Sequence, residues 1–269
     1  MQCKQGAVRT VAMAVAFATS ALLGAAAAVA GGKDVLASGG GPDFSANATY
    51  TTDYRFRGFT QTREKSALQG GLDVMWPNFY AGIWASSVDF GRVFDGGIFH
   101  DTADVELVSY AGMRRSVLGY NLDLRAIYYA YPGAYGVPER LDYFEAMVGF
   151  SREIMPQLTL GSKVYFSPDY QGETGKNWVL ESTVTRKLGA IGAISPALSA
   201  TLGSSFGDES KGGIDYSYWN AGFSFVFANY FEFDLRYYDT FSVPESALTS
   251  GSCRNLCDGR VVARITFEN

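Results

Sequence analysis

The sequence predicts an all-β fold, an antiparallel transmembrane β-barrel of twelve strands with short periplasmic turns and longer extracellular loops. Three observations predict it. Of the 269 residues, 47% are hydrophobic but only 18% charged, with an excess of 31 Gly, 17 Tyr and 19 Phe; an ordinary soluble domain carries about 25% charged residues. Apolar and polar residues alternate with a period of two in segment after segment, the signature of half-buried strands. Short and long links between those segments also alternate, as in a membrane barrel and not in a soluble sandwich.

The first thirty residues read as an export address. Lys4 and Arg9 precede an uncharged stretch richest from Val11 to Leu23, and Ala28-Val29-Ala30 fits a small-residue cleavage site. Removing residues 1–30 takes two basic charges from the 22 Lys and Arg, so the balance becomes 20 − 27 = −7. Residues 31–43, rich in Gly, read as a flexible leader, and 44–269 as the barrel domain. After residue 30 no run of eighteen apolar residues remains, so no membrane helix is predicted.

The strands follow in order. In 44–57, Phe44, Ala46, Ala48, Tyr50, Tyr54 and Phe56 alternate with Ser45, Asn47, Thr49, Thr51, Asp53, Arg55 and Arg57. Then come 66–76, 79–89, 103–115, 118–131, 141–153, 157–166, 177–187 and 197–206. In 217–227, Trp219, Ala221, Phe223, Phe225 and Phe227 share a face; in 230–239, Phe231, Phe233, Leu235 and Tyr237 do. The last, 259–267, sets Val261, Ala263, Ile265 and Phe267 against Arg260, Arg264 and Thr266. Most are about ten residues long, enough to cross an outer membrane when tilted. Short turns are expected at Pro77-Asn78, Ser116-Val117, Ile154-Met155-Pro156 and Ala228-Asn229, with a longer one at 188–196. Long links fall at 58–65, 90–102, 132–140, 167–176, 207–216 and 240–258.

Aromatic residues gather near strand ends, as interfacial girdles do. The periplasmic rim would carry Phe44, Trp76, Tyr80, Tyr120, Phe227, Phe231 and Phe267, and the outer rim Tyr54, Phe56, Tyr131, Trp178, Trp219 and Tyr237. The final strand, with its aromatic Phe267 followed by Glu268 and Asn269, resembles the strand by which outer-membrane assembly machinery reads its clients.

If the apolar sets face lipid, the opposite sets line the interior. Arg or Lys facing lipid at the midplane costs about 2–4 kcal/mol, so the charges turn inward. The acids are Asp53, Asp73, Asp104, Glu106, Asp123, Glu145, Glu181, Glu232 and Asp234. The bases are Arg55, Arg57, Arg125, Lys163, Lys187, Arg236, Arg260 and Arg264. Barrel closure would bring Arg55 and Arg57 near Glu232, Asp234, Arg236, Arg260 and Arg264. The expected pore-lining set is Asp53, Arg55, Arg57, Asp73, Asp104, Glu106, Glu232, Asp234, Arg236 and Arg264. Acids in the outer links, such as Asp95, Asp101, Asp169 and Asp208, predict a mild cation preference at the mouth.

Cys253 and Cys257, four apart in an exported chain, read as a loop disulfide. No second Cys or His pair accompanies them to build a zinc site. An acidic balance without a basic stripe argues against nucleic acid. No P-loop, dinucleotide-binding or EF-hand pattern calls for a cofactor. The single histidine, His100, beside Asp101 and near Asp104, is the one basis for a barrel-embedded hydrolase.

The stretch from Tyr50 to Phe90 resembles the opening of the TorF-type porin family. The likeness is carried by Asp53-Tyr54-Arg55-Phe56-Arg57-Gly58, Gln61-Thr62, Leu68-Gln69-Gly70-Gly71-Leu72-Asp73 and Tyr80-Ala81-Gly82-Ile83-Trp84-Ala85-Ser86-Ser87-Val88-Asp89-Phe90. Tyr128-Tyr129-Ala130-Tyr131-Pro132-Gly133 and Leu141-Asp142-Tyr143 resemble it further on. The resemblance implies an outer-membrane barrel acting as a channel for ions or small polar solutes, in contact with outer-membrane lipids. It supplies no catalytic residues. A closed structural or adhesive barrel shares every strand feature, and only the packing of the interior separates it from a pore.

Overall fold

The computed structural model describes residues 41–136, 140–245, 247, 253 and 256–269. The predicted signal peptide, and the leader as far as residue 40, lie outside them. The strands in chain order are β1 (Asp43–Thr51), β2 (Arg55–Phe56), β3 (Phe59–Thr60), β4 (Ala67–Met75), β5 (Phe79–Ser87), β6 (Arg92–Asp95), β7 (Ile98–Asp101) and β8 (Val105–Val117). They continue as β9 (Tyr120–Ala130), β10 (Tyr143–Met155), β11 (Leu158–Ser167), β12 (Asn177–Lys187), β13 (Ile194–Gly207), β14 (Tyr216–Phe227), β15 (Phe231–Phe241) and β16 (Arg260–Glu268).

Twelve of these form one closed antiparallel barrel, running β1, β4, β5 and then β8 to β16 in sequence order. β16 closes on β1, with Tyr50 opposite Ile265 and Thr51 opposite Arg264. Closure pairs every strand on both sides and leaves no edge, which a spanning sheet requires because hydrocarbon offers no hydrogen bonds. The two remaining pairs, β2–β3 and β6–β7, are small hairpins within the first two long links.

The exterior is apolar. Phe44, Leu68, Ile83, Leu124, Phe150, Leu180, Leu202, Phe223, Leu235 and Ile265 all point outward and are exposed. Phe231 and Phe267 meet at 5.3 Å between ring centroids at the turn end, and Trp219 and Tyr237 at 5.4 Å at the loop end. Phe44, Trp76, Tyr120, Phe227, Trp178 and these four are exposed as rim residues should be. Tyr54, Phe56, Tyr80 and Tyr131 are not: all four are buried inside the barrel. Tyr80 shares its face with Trp84 and Ser86, opposite the outward Phe79 and Ile83.

The turns fall at 76–78, 118–119, 156–157, 188–193 and 228–230, at the opposite end from the long links 52–66, 88–104, 131–142, 168–176, 208–215 and 242–259. The turn expected at Ser116-Val117 moves to Leu118-Gly119, because Ser116 and Val117 still pair with Asn121 and Tyr120. Both turn residues are left-handed, with φ of 52° and 79°, matching the tight turn that suits the strand twist. Likewise β13 begins at Ile194, which shortens the expected 188–196 link.

The largest departure is at the first strand. β1 ends at Thr51 instead of running to Arg57. Its pairing stops at Thr51 on both sides, opposite Ala67 of β4 and Arg264 of β16. The link 52–66, called L1 below, then folds into the barrel instead of rising from the wall. At its tip, Arg57 and Gly58 are both left-handed, with φ of 45° and 88°, closing the β2–β3 hairpin. The fit at the tip is close: a Cβ on Gly58 would lie 2.2 Å from Cγ2 of Thr240.

Candidate functional site

Inward side chains on the wall interlock large against small. Tyr110 lies over Gly82, Tyr80 over Gly112 and Tyr218 over Gly203; a Cβ at these glycines would fall 2.4, 2.5 and 2.2 Å from the tyrosine. Their phenols reach acids across the sheet. Tyr110 donates to Asp73 at 2.5 Å, Tyr80 to Asp123 at 2.5 Å and Tyr218 to Glu181 at 2.7 Å. Carboxylates drawn partly out of water are held by such donors.

The loop-side half of this interior is filled by L1. Arg57 gives Nη1 and Nη2 to the two oxygens of Glu145 on β10, at 2.9 and 3.0 Å. Its guanidinium also lies 4.8 Å from the centre of the Tyr165 ring on β11. Counting round the ring from β1 through β4, β5, β8 and β9, these strands are opposite the point where L1 leaves the wall. L1 therefore crosses the whole lumen. On the way, Tyr54 packs against Trp84 at 5.6 Å and donates to Glu106 at 3.1 Å. Phe59 packs against Tyr216 at 5.0 Å.

Asp53 organises the root of L1. It accepts from Arg55 Nε at 2.6 Å, Thr60 Oγ1 at 2.5 Å and Thr62 Oγ1 at 3.1 Å. Arg55 also donates Nη1 to the carbonyls of Gly58 and Asp258, at 3.0 and 2.9 Å. Cys253 and Cys257 are joined in that last link, with Cα atoms 5.2 Å apart. Glu64 of L1 takes Arg260 Nη1 at 2.6 Å. These contacts tie L1 to the wall beside it as firmly as Arg57 ties its tip to the far wall.

The turn-side half holds further ion pairs. Asp123 accepts from Tyr80, from Arg125 Nη2 at 3.1 Å and from Arg114 Nε at 3.3 Å. Across the lumen, Arg264 lies 3.5 Å from Glu232. Arg236 binds Asp234 at 2.9 Å, and also Asn220 and Ser199 Oγ, both at 2.8 Å.

Of the residues singled out in the sequence, Asp73, Glu106, Glu232, Asp234, Arg236 and Arg264 sit on inward wall faces. Asp53, Arg55 and Arg57 are in the lumen too, but on L1 and not on the wall. Asp53 and Arg55 share a small cavity with Asp234 and Arg264; Arg57 lies on the far side, away from that group. Asp104 precedes β8 and is exposed, contributing only a carbonyl that accepts from the Val88 N–H at 2.9 Å. Arg114 was not among the predicted lumen residues, although it shares the parity of Glu106, Tyr110 and Gly112 along β8. His100 stacks on Tyr135 at 4.2 Å, and Asp101 is engaged by Arg92 at 2.7 Å. Of the outer acids, Asp95 accepts from Tyr135 at 2.7 Å, and Asp208 from the Ser210 hydroxyl at 2.6 Å.

No curated protein matches the chain in sequence. Among solved structures, the KdgM porin in complex with disordered oligogalacturonate is similar with a TM-score of 0.52 at 6% identity, over 83% of this chain and 98% of that one. The KdgM porin gives a TM-score of 0.50 at 6% identity, again over 83% and 98%. At such identity the likeness is one of fold: a closed barrel of the porin kind. A family model matches residues 36–267, nearly the whole of the barrel, and on that match the chain belongs to the Gcw_chp family, bacterial proteins of unknown function.

Proposed function

We propose that the protein is a porin-like channel of the bacterial outer membrane, passing ions or small polar solutes passively, with L1 as its constriction. The observation that carries this reading is the division of the barrel: an exposed apolar belt outside, and charged, hydrogen-bonding residues inside. An apolar exterior of this kind belongs in lipid, and polar groups left exposed inside, such as Arg114, are what a water-filled path would use. The resemblance to the TorF-type porin family supports the same class, and the signal-like residues 1–30 support export. The turns would then face the periplasm and the long links the outside. Outer-membrane lipids and the assembly machinery, reading β16 and Phe267, are the partners this implies.

A closed structural barrel is the second reading, and L1 favours it, since the loop reaches from one wall to the other. Conductance in a planar bilayer separates the two. The refolded protein without residues 1–30 is expected to give small discrete steps. A variant with residues 54–64 replaced by a short Gly-Ser link is expected to give steps several-fold larger. Silence from both, with each folded by heat-modifiable migration, would leave the closed barrel.

A further inference from the structure

One row of the wall gathers positive charge. In register across the strands stand Arg114 of β8, Asp123 of β9, Gly149 of β10, Lys163 of β11 and Glu181 of β12, with Arg125 two residues along β9 from Asp123. That is three cations against two carboxylates, and the carboxylates are already engaged. Asp123 has its three donors, and Glu181 takes the Tyr218 hydroxyl.

The donors are not equally engaged. Arg125 is buried and gives Nε to Tyr80 at 2.6 Å and Nη2 to Asp123. Arg114 gives Asp123 only its Nε, stacks at 4.3 Å on the Tyr80 ring and leaves 44% of its side chain exposed to the lumen. The Lys163 ammonium makes no hydrogen bond or ion pair among the described residues, although Glu181 faces it on β12. Its stem leans instead onto β10, over Gly149: a Cβ there would meet Lys163 Cγ and Met147 Sδ, both at 3.3 Å. Like charges drawn together around an occupied acid repel one another, and a bound anion removes that repulsion.

We propose that this row, in the turn-side half of the lumen, is a binding site for a small polycarboxylate, held between Arg114 of β8 and Lys163 of β11. The proposal deepens the channel reading and rests on it. Arg114 offers a planar fork that matches one carboxylate, Lys163 a point charge for a second. The ligand's body would lie on the lumen side of Arg114, whose side chain is 44% exposed. L1 closes the far side, so the ligand reaches the site from the turn end.

The test is calorimetric titration of the refolded, signal-free chain in detergent with citrate. Citrate is expected to bind, and Lys163→Gln and Arg114→Gln each to weaken it about tenfold, the loss of one charge-assisted contact. Lys163→Arg should restore most of the affinity, and Lys211→Gln, on an exposed outer link, should leave it unchanged. Absence of citrate binding, or binding in both Gln variants as tight as the parent's, overturns the proposal. Heat-modifiable migration checks folding, and the half-exposed Arg114 variant decides if Lys163→Gln does not fold. Calorimetry needs no current, so a silent bilayer would count against the channel and not against this site.

Discussion

Arg57 and Arg114 both enter the lumen, yet they are used in opposite ways. Arg57, carried across by L1, has a fully buried side chain and both Nη groups on Glu145. Arg114, on the wall of the turn-side half, is half exposed and holds Asp123 only by its Nε. The first arrangement builds structure: a charge taken from water must be paired, and its partner then fixes the loop in one place. The second leaves hydrogen-bonding capacity facing water. The loop-side half of the lumen is thus a packed interior, while the turn-side half keeps one cation, Arg114, open to water, although the same residue types line both.

The contrast is sharpest if Arg57 loses its partner. Glu145→Ala should leave a buried, uncompensated guanidinium, at a cost of about 3–5 kcal/mol. L1 can escape that cost by withdrawing toward water. Trypsin should then cleave after Arg55 and Arg57, which are buried in the parent, and conductance should rise. Protection of both sites in the variant, read by mass spectrometry, would show that L1 does not depend on this pair. Neutralising Arg114 should produce no such cleavage, because nothing is left buried without a partner.

A smaller effect tests the wall itself. Gly203→Ala places a methyl group 2.2 Å from the Tyr218 ring, and Tyr218 must move away from Glu181 to admit it. Overpacking of this kind costs about 1–3 kcal/mol. Urea unfolding of the detergent-solubilised barrel should show a lower midpoint with an unchanged slope. A midpoint equal to the parent's would mean that the tyrosine–glycine interlock is looser than its geometry.

The barrel was legible in the sequence because lipid enforces a strict alternation, and strands such as β14 and β15 carry it without interruption. L1 was not. Tyr54 and Phe56 continue the parity of Phe44 and Tyr50, and a packed interior accepts aromatic residues as readily as lipid does, so alternation alone cannot separate them. A cue was present in Arg57-Gly58, which sits between Arg55-Phe56 and Phe59-Thr60 as a turn sits in a hairpin too short to span. Tyr80 illustrates the converse: its parity with Gly82 and Trp84 pointed inward, but its nearness to Trp76 suggested a rim. Arg114 and Arg115 stand side by side at the end of β8, one on each face, so charge alone does not say which of them turns inward. The pairing of Arg57 with Glu145, 88 residues apart, depends on L1 crossing the ring, which no local pattern encodes.

The weakest expected effect lies where L1 meets water. Lys65 donates to Asp89 at 2.7 Å, tying the end of L1 to the next long link. Burial pushes the Asp89 carboxyl up, but Lys65, the Gly91 N–H and the charge of Arg63 outweigh it and hold it below the usual aspartate range. A depressed carboxylate contributes stability that is present above its unfolded value, about 3.9, and is lost as pH falls through the lower folded value. Asp89→Asn should therefore cost stability at neutral pH and nothing once the parent's carboxyl is protonated. The ammonium is 70% exposed, so the neutral-pH difference should stay within about 0–1 kcal/mol. Thermal unfolding of both proteins at pH 7 and well below pH 3.9 measures it. A gap that persists in acid would assign the effect of Asp89 to its hydrogen bond with the Gly91 backbone, and would leave L1 held by its buried charges alone.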